Sequence, residues 1–252
     1  MIRKRTRSRR RRRRRRPLFA PHAAPRVELK DAEHSNLSFA VTSSGTWSSV
    51  SGHNLTPDNA SIFGVNQGSA RTTRTGRRIW VKHLSLRLGI RLIPDYVAAG
   101  TVTAARDGME PTAVCILLCI DTQNNSSAVT PSPQAVLETA GTDALLMPVC
   151  LRELLESRRY RILRRYVVKF PANVSTVHNG TNYDMFLPGG IAFISDDINM
   201  RNLSVEYNDG TTAAQNTIVT NHCFLLANHT NSGSRTPGVA ISYFSRIRFI
   251  EG

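Results

Sequence analysis

No apolar run in these 252 residues approaches the about 18 that a membrane-spanning helix needs, so no such helix is expected. A signal peptide is not expected either, because the N-terminus is basic and lacks an apolar stretch and a small-residue cleavage site. Cysteine is scarce. Cys115, Cys119, Cys150 and Cys223 are too few and too scattered for a secreted disulfide framework and are expected to be reduced thiols. Catalytic signatures are missing as well: no Gly-x-Ser-x-Gly elbow, no phosphate loop ending in Gly-Lys-Ser/Thr, no His-Glu-x-x-His and no dinucleotide fingerprint. The chain is therefore expected to be no enzyme and to need no cofactor.

Negative charge is in short supply, with 18 Asp and Glu against 33 Lys and Arg. The excess is concentrated at one end. Arg3, Lys4, Arg5, Arg7 and the unbroken run Arg9, Arg10, Arg11, Arg12, Arg13, Arg14, Arg15, Arg16 place 12 of the 33 cations in the first 16 residues. A stretch with no apolar period and no acid has nothing to bury, and like-charge repulsion extends it. Beyond it, the remaining 21 basic residues nearly balance all 18 acids. A weakly basic globular body thus carries a polycation whose physical meaning is an anionic partner. Phosphate neutralisation in nucleic acid is the leading reading, and Lys/Arg clusters of this type also serve nuclear import.

From Pro17 to about Asp31 the three prolines Pro17, Pro21 and Pro25 favour extended chain. At about 3.3 Å per residue, the first thirty residues reach roughly 100 Å when stretched. The expected division is a disordered basic arm and Pro-rich linker over 1–35 and a single folded domain over 36–252.

Period-two alternation marks the body as β. Leu84, Leu86, Leu88, Ile90 and Leu92 fall on one face of a long strand, with Ser85, Arg87 and Arg91 on the other. The continuous apolar run 112–121 reads as a strand buried on both faces, and Cys115 and Cys119, four apart, share a side as small core residues. A short strand over 37–42, a helical turn or two over 151–157, and strands over 160–170, 191–194, 203–207, 221–228 and 239–250 complete the reading. Pro94 to Gly108 is expected to be a turn-rich insertion, Asp196-Asp197 a turn, and Asn173, Asn179 and Asn228 to lie in polar loops. Around eight strands with long loops and little helix point to an all-β sandwich, most plausibly a jelly roll.

A second basic block differs in kind from the arm. Alternation puts Arg159, Arg161 and Arg165 on one strand face and Tyr160, Ile162 and Arg164 on the other, with Arg158 just ahead. These side chains either meet nucleic acid or pair with acids across a subunit boundary, and Arg77 and Arg78 carry the same two options. No metal site is expected from His222, Cys223 and His229, which lack a second tight ligand pair.

Gly76-Arg77-Arg78-Ile79-Trp80-Val81-Lys82-His83-Leu84-Ser85-Leu86 resembles the first long core strand of geminivirus coat proteins. Leu151-Arg152-Glu153-Leu154 through Arg164-Arg165 is similar to that family's Leu-Arg-Asp segment, and the closing strand through Arg246-Ile247-Arg248-Phe249 to its last hairpin. Circovirus capsids, with an arginine-rich start and a jelly roll, are the other likeness. The arm here is more purely arginine, and no Cys/His finger-like arrangement stands near the N-terminus. The resemblance implies a capsid protein of a small circular single-stranded DNA virus. Its expected partners are identical subunits in an icosahedral shell, the viral genome and a host nuclear import receptor, and its expected places are the virion and the host nucleus. A coat protein of a small RNA or satellite virus, or a non-viral nucleic-acid-binding module, is the alternative.

Overall fold

The computed structural model describes residues 28–41, 48–50, 61–92, 95–97, 112–128, 131, 136–137, 158–171, 175–178, 183–187, 190–229 and 239–252. The basic arm, the linker through residue 27, Cys150 and the expected helix over 151–157 lie outside them. Twelve strands run in chain order: β1 (Lys30–Val41), β2 (Ser48–Val50), β3 (Arg78–Leu92), β4 (Asp95–Val97), β5 (Thr112–Asp121), β6 (Tyr160–Phe170), β7 (Ser175–His178), β8 (Tyr183–Leu187), β9 (Ile191–Tyr207), β10 (Ile218–Thr220), β11 (His222–His229) and β12 (Val239–Glu251). Because β1 starts at Lys30, residues 30–35 belong to a sheet and not to the arm to which sequence assigned them.

The pairing has one rule. Setting aside the short strands β4, β7, β8 and β10, the first strand pairs with the last (β1 with β12), the second with the second-last (β2 with β11), β3 with β9 and β5 with β6, all antiparallel. That is one long antiparallel ribbon folded in half between β5 and β6. Rolled up, it gives a sheet ordered β1-β12-β3-β9-β10 and a sheet ordered β2-β11-β5-β6. The fold is a jelly-roll β-sandwich. A separate three-stranded sheet, β4-β8-β7, is built from the connections after β3 and before β9, so the expected turn-rich insertion from Pro94 contains a strand.

Between the sheets lies the main core. β3 sends in Ile79, Val81, Leu84, Leu86, Leu88 and Ile90, which change phase between Val81 and Leu84. A bulge resets it. Lys82 is the extra residue of β3 against β12, while Arg201 and Asn202 of β9, at φ 51° and 60°, take up the slack on the other side. β9 runs unbroken through Asp196-Asp197, which pair in regular register with Leu86 and Ser85, where sequence suggested a turn between two strands. After β9 the chain turns at Asn208-Asp209-Gly210, with the Asn208 side chain accepting from the Gly210 N–H at 2.8 Å.

β5 and β11 are buried on both faces, as the apolar run of β5 suggested. Val114, Ile116, Leu118 and Ile120 face the main core. Cys115, Leu117 and Cys119 face the other way, into a second core with Val136, Leu137, Tyr160, Phe224 and Leu226. Val136 and Leu137 thus help to cover the outside of this sheet. Asn228, expected in a polar loop, is fully buried in β11.

Candidate nucleic-acid and assembly surfaces

The arm joins the body at a well-anchored point. The Lys30 ammonium donates to Glu251 Oε1 at 3.0 Å and to the Thr73 carbonyl at 3.1 Å, which ties the start of β1 to the end of β12. Partial burial raises the Glu251 pKa, but hydrogen bonds from Thr75 and Lys30 outweigh it and hold the carboxyl below its ordinary value. Next to this anchor Arg74 is buried beneath the surface: its guanidinium donates to the carbonyls of Val65, Gly76 and Gly210 at 3.1, 2.7 and 2.5 Å and stacks 4.2 Å from the Tyr207 ring. Sequence gave no sign of this residue, because an arginine in a Ser/Thr/Gly-rich loop reads as solvated.

The body arginines divide by their neighbours. Arg77 pairs with Asp209 and Arg78 with Glu206. Arg159 grips Asp121 with two bonds of 3.0 Å, and that carboxylate is 1% exposed. Arg164 donates to Asp196 at 2.9 Å, and Tyr166 donates to the same carboxylate at 2.8 Å. All four arginines therefore have acid partners within their own subunit, a third option beside genome and neighbour. Arg158 and Arg161 are exposed and make no ion pair among the described residues. Arg165 is exposed as well.

One expected face is corrected. β6 pairs with β5 through a bulge at Leu163, since Ile162 opposes Cys119 while Arg164 opposes Leu118. The phase flips there. Arg161, opposite Ile120, and Arg164, opposite Leu118, fall on the inner side, and Arg165, opposite Leu117, falls on the outer side. Arg161 and Arg165 do not share a face. Arg164 and Tyr166 instead reach across from the edge of one sheet to Asp196 of β9 and clasp the sandwich where its core ends.

The two outer faces contrast. Outside β1-β12-β3-β9, cross-strand ion pairs join Arg246 to Glu33, Arg248 to Asp31 and Arg87 to Asp197. Among them Ile191 and Phe193 stand 65% and 81% exposed, and the Phe193 ring lies over Gly89. At the arm end of this sheet an open cleft of about 470 Å³ is walled by Arg77, Arg78, Trp80, Glu206, Tyr207, Val219 and Gly252. Sequence singled out Arg77 and Arg78, but not Trp80 or the closure of the cleft by β9, β10 and Gly252. Among the described residues no group of three or more His, Cys, Asp or Glu could hold a metal.

No protein-family model matches this chain, and no curated protein does. Among solved structures it is similar to Desmodium yellow mottle tymovirus, at 12% identity and a TM-score of 0.32 over 94% of this chain and 95% of that one. It is also similar to the human polyomavirus 7 VP1 pentamer, at 11% identity and a TM-score of 0.22 over 88% and 95%. At these scores the likenesses carry no weight beyond their mention, and the jelly roll rests on the strand pairing itself.

Proposed function

We propose that this chain is the coat subunit of a small virus, assembling with identical copies into an icosahedral shell whose interior receives the arginine arm. The observation that carries this reading is the join at Lys30: a 12-cation segment enters a jelly roll through the anchored first strand of one sheet. Such a fold hosts many activities, so the arm and the free sheet face supply the function and the fold alone does not. With about 60 copies in the simplest closed shell, the arms bring roughly 720 cations to genome phosphates. Binding of this kind is steeply salt-dependent and nearly indifferent to sequence.

Circular single-stranded DNA is the favoured genome, on the likeness of 76–92 and 151–165 to geminivirus coats. In the free subunit the same arm, Arg3 to Arg16, serves as a nuclear import signal. Ile191 and Phe193 offer apolar contact to a neighbouring subunit on the sheet face that the chain leaves open.

Electron microscopy of the purified protein is the direct test, with closed shells expected. A monodisperse dimer at every salt concentration would instead favour a nucleic-acid-binding module of another kind. Deleting residues 1–16 is expected to leave the body folded and abolish genome uptake. Packaging that survived this deletion would overturn the role of the arm. Digesting native particles with DNase and RNase identifies the genome, and resistance to DNase with loss to RNase would move the subunit to an RNA or satellite virus.

A further inference from the structure

The cleft at the arm end of the five-stranded sheet combines two features that the assembly role leaves unused, an aromatic wall and two arginines, and it lies beside the root of the polycation. The geometry points to this cleft as a binding site for an unpaired nucleobase of single-stranded nucleic acid, stacked on Trp80 with its flanking phosphates on Arg77 and Arg78. The inference rests on the nucleic-acid reading above and adds to it a site on the folded body and a preference for single strands.

Trp80 and Arg78 are two residues apart on β3 and so project from the same face, while Arg77 stands at the strand's start. The indole is half-buried, and a Cβ added to Gly252 would lie 2.4 Å from its ring, so the Gly252 backbone packs closely against one side of it. Val219 adds an apolar group to the lining. An open, partly apolar cleft with two exposed arginines in its wall matches a base and its backbone: the base offers a π-face, and the phosphates offer two-oxygen acceptors that fit a guanidinium fork.

The arginines are already paired, Arg77 with Asp209 and Arg78 with Glu206. These pairs are no obstacle. Their side chains are between 36% and 78% exposed, and exposed ion pairs are weak and screened, so phosphate can replace carboxylate at little cost while the acids return to water. The same exchange explains why the cleft waits for the arm. Lys30 is bonded to Glu251, the residue before Gly252 in the cleft wall, so a strand captured by residues 1–16 is held close to Trp80 at high effective concentration. A duplex gains nothing from the cleft, because its bases are already stacked on one another.

The full chain contains only two tryptophans, Trp47 and Trp80, so the Trp47→Phe variant reports on the cleft by fluorescence. Titration with a short oligothymidylate is expected to quench Trp80 saturably. The same strand annealed to its complement is expected to bind through the arm, seen as anisotropy of an end label, without quenching. Adding Arg77→Gln and Arg78→Gln is expected to weaken the quenching titration about ten-fold, in the range typical of losing a stacked base or paired phosphate contact.

A second measurement needs no substitution. Irradiating the unaltered chain with a bromouracil-containing single strand is expected to cross-link Trp80. Single-strand binding without quenching and with cross-links confined to residues 1–16 overturns the cleft while leaving the packaging role intact. Equal quenching by duplex overturns it too. If a labelled strand does not bind at all, the wider nucleic-acid reading fails with it.

Discussion

β3 and β5 lie on opposite sides of one core and differ in what covers their backs. Leu86 and Leu118 both point inward and are fully buried. Their neighbours part company: Arg87 faces solvent and holds Asp197, whereas Leu117 is buried again in a second core. One sheet of the sandwich is finished by its own chain, and the other is left with charged and apolar groups exposed. The difference is one of burial alone: among the described residues the outer side of β5 is packed in a second core, and that of β3 and β9 is exposed.

Paired substitutions break or sharpen this contrast. Leu117→Ala and Leu118→Ala are each expected to cost ~2–5 kcal/mol, because each removes a buried leucine from a packed core. Denaturant titration checks it. If Leu117→Ala proved nearly neutral, the second core would not be a core. On β3 the same experiment should split, with Leu86→Ala in that range and Arg87→Ala within about 0.5 kcal/mol, as expected for an exposed ion pair.

Arg74→Met, at the arm end of the open sheet, leaves three carbonyls without their donor and is expected to cost on the order of 3 kcal/mol in thermal or chemical unfolding. A silent Arg74→Met would mean that the loops it joins are held otherwise.

pH separates the two sheets further. His222 lies fully buried in the capped one, stacked on Phe224, with neither ring nitrogen hydrogen-bonded among the described residues, and burial lowers its pKa from 6.5 to about 3. The unfolded chain therefore binds a proton that the folded chain refuses between pH 6.5 and 3, so stability falls as pH drops through that window. At pH 5 the loss is about 2 kcal/mol, and His222→Phe should remove that part of the slope in melts taken from pH 7 to 5. An unchanged slope would show that His222 accepts a proton in place.

The smallest stability effect and a large assembly effect are expected from one residue of the open sheet. Phe193→Glu should shift stability by less than about 0.5 kcal/mol, since the ring is 81% exposed, yet stop shells from forming under the proposed role. Shells of normal size from Phe193→Glu would move the subunit contact elsewhere.

Much of the fold was legible because alternation in β3 and β12 and the unbroken run of β5 report directly on which faces are buried. The bulges were not. Lys82 and Leu163 carry no local signature, since a bulge is set by the register of two paired strands, and one extra residue sends Arg161 and Arg165 to opposite faces. Asp196 and Asp197 misled for a related reason: side by side they suggest a turn, but in β9 one points inward to Arg164 and Tyr166 and the other outward to Arg87.

By itself the sequence determined the class of fold, because period-two apolar spacing is the signature of strand. The 12 cations without an acid in its first sixteen residues are what the proposed anionic partner rests on. Tertiary structure alone decided which cations remain exposed and which surface stays open. Those properties depend on what lies across a strand pair or a closed loop: Asp121 beside Arg159, Asp196 beside Arg164, and Gly252 over Trp80 meet only because residues far apart in the chain are paired in space.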